Sequence, residues 1–501
     1  MLRLALLLLA ALAAPLPAGH RLGLIPEDLD TVPGVVRVDR IAAAPCRPLC
    51  DTVVRVDHSA NLPPVGNQGG QGSCVAWAHG YYHMTHNEFV ERGWNVRDPR
   101  NQFSPAFLYN QVNGGQDGGT SGSRVMVLAI EQGCATLFSK PYNPTDYSSW
   151  PSEAAYFNAL EFRGEEACFI AAYDTAGINR VRQHLANGYT GVIGIRVWEN
   201  FDNIHEFRHT YCSSERYGTM RGWHAVTIVG YDDTLPTSDG PGAFRVVNSW
   251  GTGWGDAGFF WMSYVAVMDA EMGGRQVEYL RDRVDYRPVL VGLVTISHPT
   301  RDRVGIELGV APVMGPPWSY PFRSWRSPAR DFPFPGHPMV FDLTEGAEFL
   351  AGNGEDRLFL GVVDDQCEGA TGSITGFSVE HLDWGTRGVS GDPPVAIPDD
   401  GEPVFALAQL PASGIAGGAA GGRPGAAVAT IVRGSLSLTG LGHDPGSENR
   451  SGSCPALLLD ISGRMVMELL PGDNDVRHLA PGVYFVRRQD TGESSRLVLV
   501  E

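Results

Sequence analysis

Residues 67–78 read N-Q-G-G-Q-G-S-C-V-A-W-A, a glycine-rich approach to one thiol, Cys74, six residues after Gln68. A thiol attacks at neutral pH only as thiolate, so a nucleophilic Cys74 needs an imidazole beside it and gains from a helix N-terminus beneath it. The pattern predicts that helix over 73–90, punctuated by Val75, Ala76, Ala78, Tyr82 and Met84. Gly69, Gly70 and Gly72 let the backbone close tightly on the site. The helix dipole would favour an anionic sulfur.

The partners stand far downstream. His224 lies in G-W-H-A-V-T-I-V-G-Y, where the apolar, β-branched run from Ala225 to Val229 reads as a buried strand starting at the histidine. Asn248 opens N-S-W-G-T-G-W-G after a second strand, Phe244 to Val247, and its side-chain carbonyl is suited to fix the imidazole. Gln68 offers a side-chain N–H to a developing oxyanion, together with the Cys74 backbone N–H. Each string alone has a plainer reading: a structural thiol, a core histidine, an aromatic turn. Four of them in one order point to a nucleophile, a base, an orienting amide and an oxyanion donor.

These strings, with F-S-P-A-F-L-Y-N from Phe103, resemble the papain family of cysteine peptidases over about Asn61 to Tyr264. The resemblance implies Cys74 as nucleophile, His224 as general base then acid, Asn248 as its orienter, Gln68 in the oxyanion hole, and Trp250 shielding the His–Asn bond from water. It also implies a cleft lined by Gly119, with Thr120, Ser121, Gly222 and Ala225 near the main specificity pocket. The chain departs from the family at two places, with Val75 where Trp usually follows the nucleophile and Gln71 where a Cys usually precedes it. The usual disulfide beside the active-site helix is therefore absent.

At 501 residues with 62 Gly and 35 Pro, the chain is too long for one core and carries many turns. A net charge of −18 argues against nucleic acid or an anionic membrane as partner. Arg3 followed by the apolar stretch Leu4 to Ala14 reads as an export signal over 1–18; it is too short to span a bilayer, and no other stretch approaches that length. Of eight Cys, seven remain once Cys74 stays free, so at least one of them has no partner within the chain. Cys46 and Cys50 either close a small loop or each reach elsewhere. They lack the second Cys pair and the His cluster of a zinc site, so neither metal nor cofactor is expected. Residues 19–60 are either a short propeptide plugging the cleft or an ordered N-terminal strap.

From about 286 to 383 short alternating strands appear at sandwich spacing, including V-L-V-G-L-V-T-I-S-H-P and R-L-F-L-G-V-V-D-D. They resemble the jelly-roll P-like domain that follows some secreted proteases. Asp364, Asp365 and Glu368 form either a calcium loop or, as favoured, a solvated acidic turn. Residues 384–427 read as a Pro/Gly/Ala-rich linker. The last segment, 428–501, with D-I-S-G-R-M-V and L-A-P-G-V-Y-F-V-R, resembles the C-terminal sorting domain of type IX secretion cargo in Bacteroidetes-like bacteria.

The expected fold is α+β: a two-lobed papain-like domain over 61–285, one lobe helical and one β-barrel-like, then a β-sandwich and a small C-terminal β-sandwich. The expected function is a secreted or cell-surface bacterial cysteine endopeptidase acting on protein or peptide substrates, with secretion machinery as a further partner. The rival reading is a weakly active or inactive surface module that binds protein or polysaccharide. Resolution of the acyl-enzyme by an amine, in a transferase or ligase reaction, is a third.

Overall fold

The computed structural model describes residues 20–44, 52–311, 320–327, 332–366 and 369–412, and beyond these the strands of the C-terminal part with residues 476 and 479. The expected export signal and Cys46, Cys50, Cys367 and Cys454 lie outside the described residues. Cys74, Cys134, Cys168 and Cys212 are buried free thiols.

The nucleophile helix opens at α1 (Cys74–Ala76), widens to a π-helical stretch over Trp77–Met84 and closes as α2 (Thr85–Arg92). It thus runs two residues further at its C-terminal end than the sequence pattern predicts. It stops where Gly93 takes the left-handed conformation, φ 65°, that a Cβ disfavours. Gly80 lets it approach α3 (Pro105–Val112): a Cβ there would stand 2.7 Å from Leu108. With α4 (Gly122–Gln132) and α5 (Glu153–Leu160) these helices make the first lobe, packed around Phe103, Phe107, Tyr109 and Tyr156.

The second lobe is a nine-stranded sheet. Its strands are β1 (Val35–Arg37), β2 (Arg55–Asp57), β3 (Gly164–Ala171), β4 (Gly191–Val197), β5 (Thr210–Tyr211), β6 (Gly222–Thr237), β7 (Gly240–Val247), β8 (Phe259–Ser263) and β9 (Gly273–Asp282). The order is β1-β3-β9-β4-β6-β7-β8-β5, with β2 on β6. Alternating apolar side chains of β4, β6 and β7, such as Ile193, Ile195, Val226, Ile228, Phe244 and Val246, bury its core with α6 (Thr175–Ala186). Residues 35–37 and 55–57 extend this sheet, so much of the segment read as strap or propeptide is built into the fold.

Two antiparallel sheets follow. One orders β13 (Met339–Asp342), β10 (Leu290–Ser297), β15 (Gly372–His381) and β16 (Thr386–Val389), with β17 (Val395–Ile397) on β15; the other orders β12 (Tyr320–Arg326), β11 (Val304–Ala311), β14 (Arg357–Asp364) and β18 (Val404–Gln409). Strands β16 to β18 correct the expected linker at 384–427, at least up to Gln409. The run V-F-A-L-A-Q-L alternates, but its inward residues include Ala406 and Ala408, too small to register as a hydrophobic strand, although both are fully buried beside Leu410.

The helical lobe and these sheets share one hydrophobic cluster, from Phe107 and Tyr156 to Trp325, Phe341 and Leu360. Trp150 meets Trp325 edge-on, and Arg163 pairs with Asp342 at 2.5 Å with both side chains buried. The two expected domains, 61–285 and 286–383, therefore form one compact unit. The favoured solvated turn at Asp364 is also corrected: Asp364 is buried against His298 at 3.0 Å, while Asp365 pairs with Arg326 and Glu368 lies outside the described residues.

The C-terminal part is a separate unit. Its described strands form a five-stranded sheet ordered β19 (Thr430–Val432), β25 (Ser494–Leu499), β24 (Gly482–Arg488), β21 (Ala456–Asp460), β22 (Met465–Leu469), and a pair of β20 (Ser435–Ser437) with β23 (Asp473–Asp475).

Candidate active site

Cys74 is the first residue of its helix, fully buried, with Ser73 in the capping position. The Ser73 hydroxyl bonds the Tyr142 hydroxyl at 2.8 Å, and Tyr142 donates to the Gln68 carbonyl at 2.8 Å, bracing the turn that presents the thiol. Gln71, standing where the family carries a disulfide cysteine, donates its amide to the Asp146 carbonyl at 3.2 Å and ties the same loop by hydrogen bonds instead.

His224 sits on β6, facing the helix start. Its Nε2 bonds Asn248 Oδ1 at 2.7 Å, and its Nδ1 is buried with no hydrogen-bond partner. The next residue, Ala225, hydrogen-bonds the Cys74 sulfur through its backbone, placing the imidazole one residue from that contact. The Trp250 ring lies 4.9 Å from the His224 ring, centroid to centroid. Gln68 is held from behind by Ser249, whose hydroxyl donates to Oε1 at 2.7 Å. The structure thus brings together Cys74, His224, Asn248, Gln68 and Trp250.

The cleft is filled by residues 20–28. Thr120 N donates to the Gly23 carbonyl and Ile25 N to the Thr120 carbonyl, both at 2.9 Å, so the strap pairs with Thr120 in the parallel sense. Leu24 N donates to the Trp223 carbonyl at 3.3 Å, and the Gln68 side-chain N–H is spent on the Arg21 carbonyl at 2.9 Å. His20 stacks flat on Trp250, 4.8 Å between ring centroids. Gly119, at φ 94°, needs its glycine, since a Cβ would stand 2.2 Å from the Gly23 carbonyl oxygen. Leu22 packs on Gly222, and Leu24 packs against Gly194 at the mouth of a cavity of about 420 Å³. Ser121 points its hydroxyl to Ser123, and it is Ser123 that binds the strap, through Glu27.

Burial sets the electrostatics. Burial raises the Cys74 thiol to about 11, against backbone donors at Ala225, Gly23 and Val75 that pull the other way. Burial likewise lowers His224 to about 4, only partly opposed by Asn248. With the strap in place the pair is a neutral thiol beside a neutral imidazole, because a dry site penalises both charges.

Sequence reasoning missed Asp117, whose carboxylate accepts from Gly72 N at 2.8 Å and Tyr109 at 2.6 Å and pairs with Arg21 at 2.7 Å. Nothing in G-Q-D-G-G distinguishes it from a turn aspartate. Ser249 carried a signal, since it adjoins Asn248 in the same motif.

The family model for papain family cysteine protease matches residues 52–273. An uncharacterized peptidase C1-like protein of Acanthamoeba polyphaga mimivirus is 26% identical over 214 residues, 41% of this chain and 66% of that protein, just under two thirds of its length. Among solved structures, xylellain, a cysteine protease from Xylella fastidiosa, is 22% identical with a TM-score of 0.40, covering 52% of this chain and 95% of its own. The proform of Amb a 11, a ragweed pollen cysteine protease, is 20% identical with a TM-score of 0.37 over 48% of this chain and 67% of its own. Residues 52–273 are a papain family cysteine protease domain.

Proposed function

We propose that the chain is a secreted endopeptidase, held latent by residues 20–28, that cleaves proteins through a Cys74 acyl-enzyme. The observation that carries this reading is the His224 ring, anchored at Nε2 by Asn248 with Nδ1 left unpaired, one residue before the Ala225 backbone that hydrogen-bonds the Cys74 sulfur. Once the strap leaves and water enters, the desolvation penalty on both groups falls, and the helix N-terminus favours thiolate beside imidazolium. Sulfur attacks the substrate carbonyl; the oxyanion takes the Gln68 amide N–H that Arg21 now occupies and the Cys74 N–H. His224 protonates the leaving amine and then activates the water that hydrolyses the thioester. An extended substrate backbone takes the Thr120 groups that the strap now uses.

Export rests on the Arg3 and Leu4–Ala14 pattern, and the C-terminal strands support a sorting role for residues 428–501, with the P-like resemblance assigned to the preceding sheets. The test is labelling by an epoxide thiol-protease inhibitor after limited proteolysis of the strap. Label is expected on the intact site and absent in Cys74→Ala; no label on folded, reduced, strap-cleaved enzyme overturns the proposal.

A further inference from the structure

At the far end of the nucleophile helix, α2 brings Glu88 and Glu91 against Asp282, the last residue of β9, with one carboxylate oxygen from each inside a 4.8 Å span. The side chain of Glu88 is 3% exposed and that of Glu91 9%. Part of this charge is met. Arg92 Nε lies 2.6 Å from Glu88 and 3.5 Å from Glu91, Asp285 N donates to Glu91 Oε1 at 2.8 Å, and Arg283 N to Asp282 Oδ1 at 2.9 Å. The other oxygens, Glu91 Oε2 and Asp282 Oδ2, are buried and have no donor. Acceptors that close require something positive between them, a proton or a cation.

A separate observation chooses between the two. Asn87, one turn before Glu91 on the same helix face, is 93% buried, as its 7% exposure records. Its amide N–H donates to the Leu280 carbonyl at 3.2 Å, while its Oδ1 has no partner. Asn87, Glu91 and Asp282 all line one cavity of about 620 Å³, which gives water and ions a way in. A proton shared by Glu91 and Asp282, with Arg92 on Glu88, still leaves the amide oxygen unmet. The donor set is oxygen throughout. His83, on the same wall, has both ring nitrogens engaged, by Thr190 and Leu280, and Arg281 at the rim is paired with Glu166.

We propose that Glu88, Glu91 and Asp282, with the Asn87 amide oxygen and water from the cavity, bind a calcium ion that pins the nucleophile helix to the end of β9. An irregular oxygen set completed by water suits calcium, with its long and variable bonds, and fits poorly the strict octahedron that magnesium demands. All-oxygen donors do not select zinc or copper. Without the ion, burial drives protons onto the cluster, raising Glu88 to about 8 and Asp282 to about 7.

The test uses the full chain as Cys74→Ala, which cannot digest itself, stripped with chelator. Terbium luminescence, sensitised by Tyr189 and Tyr279 in the cavity wall, should report one site that calcium displaces and magnesium does not, and calcium should raise the melting temperature. Glu91→Gln with Asp282→Asn keeps the shapes and removes the charges. It should weaken calcium binding at least tenfold while the metal-free variant melts no lower than its parent. Absence of calcium binding, with melting that responds only to pH, assigns the cluster a shared proton and overturns the proposal. Calcium binding of equal strength in the double variant places the ion elsewhere and overturns it equally.

Discussion

Gly23 is the residue on which strap docking turns. A Cβ at that position would stand 1.8 Å from the Gly72 carbonyl oxygen, 2.4 Å from its carbon and 2.7 Å from its Cα. All three are backbone atoms of the turn that presents Cys74, so Gly23→Ala must lift the strap instead. Lifting it breaks the bonds from Thr120 N, Ile25 N and Leu24 N described above. At about 1 kcal/mol net for each hydrogen bond, the docked state loses about 3 kcal/mol, on the order of a 100-fold rise in the open fraction. The assay is the second-order rate of epoxide labelling of the uncleaved chain, with initial hydrolysis of a fluorogenic peptide alongside. Both should rise by roughly that factor in Gly23→Ala, and the gain should vanish when strap-cleaved enzymes are compared. Equal labelling rates for a folded Gly23→Ala and the parent chain would refute the argument that the strap gates the thiol.

Gln68→Ala should lower kcat by about 10²- to 10³-fold with a smaller change in KM, as for loss of one oxyanion donor, and Ser249→Ala, which only frees the Gln68 amide, should cost less. Asp342→Ala leaves the buried Arg163 guanidinium without its carboxylate and should destabilise the whole unit by about 3–5 kcal/mol, read by denaturant melts. Acid should unfold the protein early. Burial lowers His86 and His184 to about 4 and holds His83 well below the usual histidine range, so from pH 6.5 downward the unfolded chain binds more protons and stability falls. Fully developed, the His86 and His184 shifts are each worth about 3 kcal/mol, and melts between pH 7 and 5 should show a steep decline; a flat profile refutes it. Glu88 and Asp282 act with the opposite sign. Their raised values mean that, in the calcium-free chain, stability present at lower pH is lost as pH climbs through 7 to 8.

The proposed catalytic side chains were legible because chemistry restricts their identity: a thiol, an imidazole and two amides suit the steps of thiol acyl transfer, and each came with neighbours of recognisable pattern. The strap was not legible, since it docks through backbone groups at Gly23, Leu24 and Ile25, and any residue type carries those. Its one sequence requirement, glycine at 23, looks like any other glycine among 62. Strand β18 escaped for a related reason, because alanine fills its buried positions 406 and 408 and leaves little hydrophobic signal. Asp364 reads as a turn residue within L-G-V-V-D-D, and only the fold reveals His298, 66 positions earlier, at its carboxylate.

The shared hydrophobic cluster between the helical lobe and the following sheets has a consequence for the mature enzyme. A nick in the exposed stretch around Asp285 and Arg287 would cut the polypeptide without parting the two halves, since Trp150, Trp325 and the Arg163–Asp342 pair hold them across the break. Self-digestion there would yield a two-chain protein that migrates as one species until denatured.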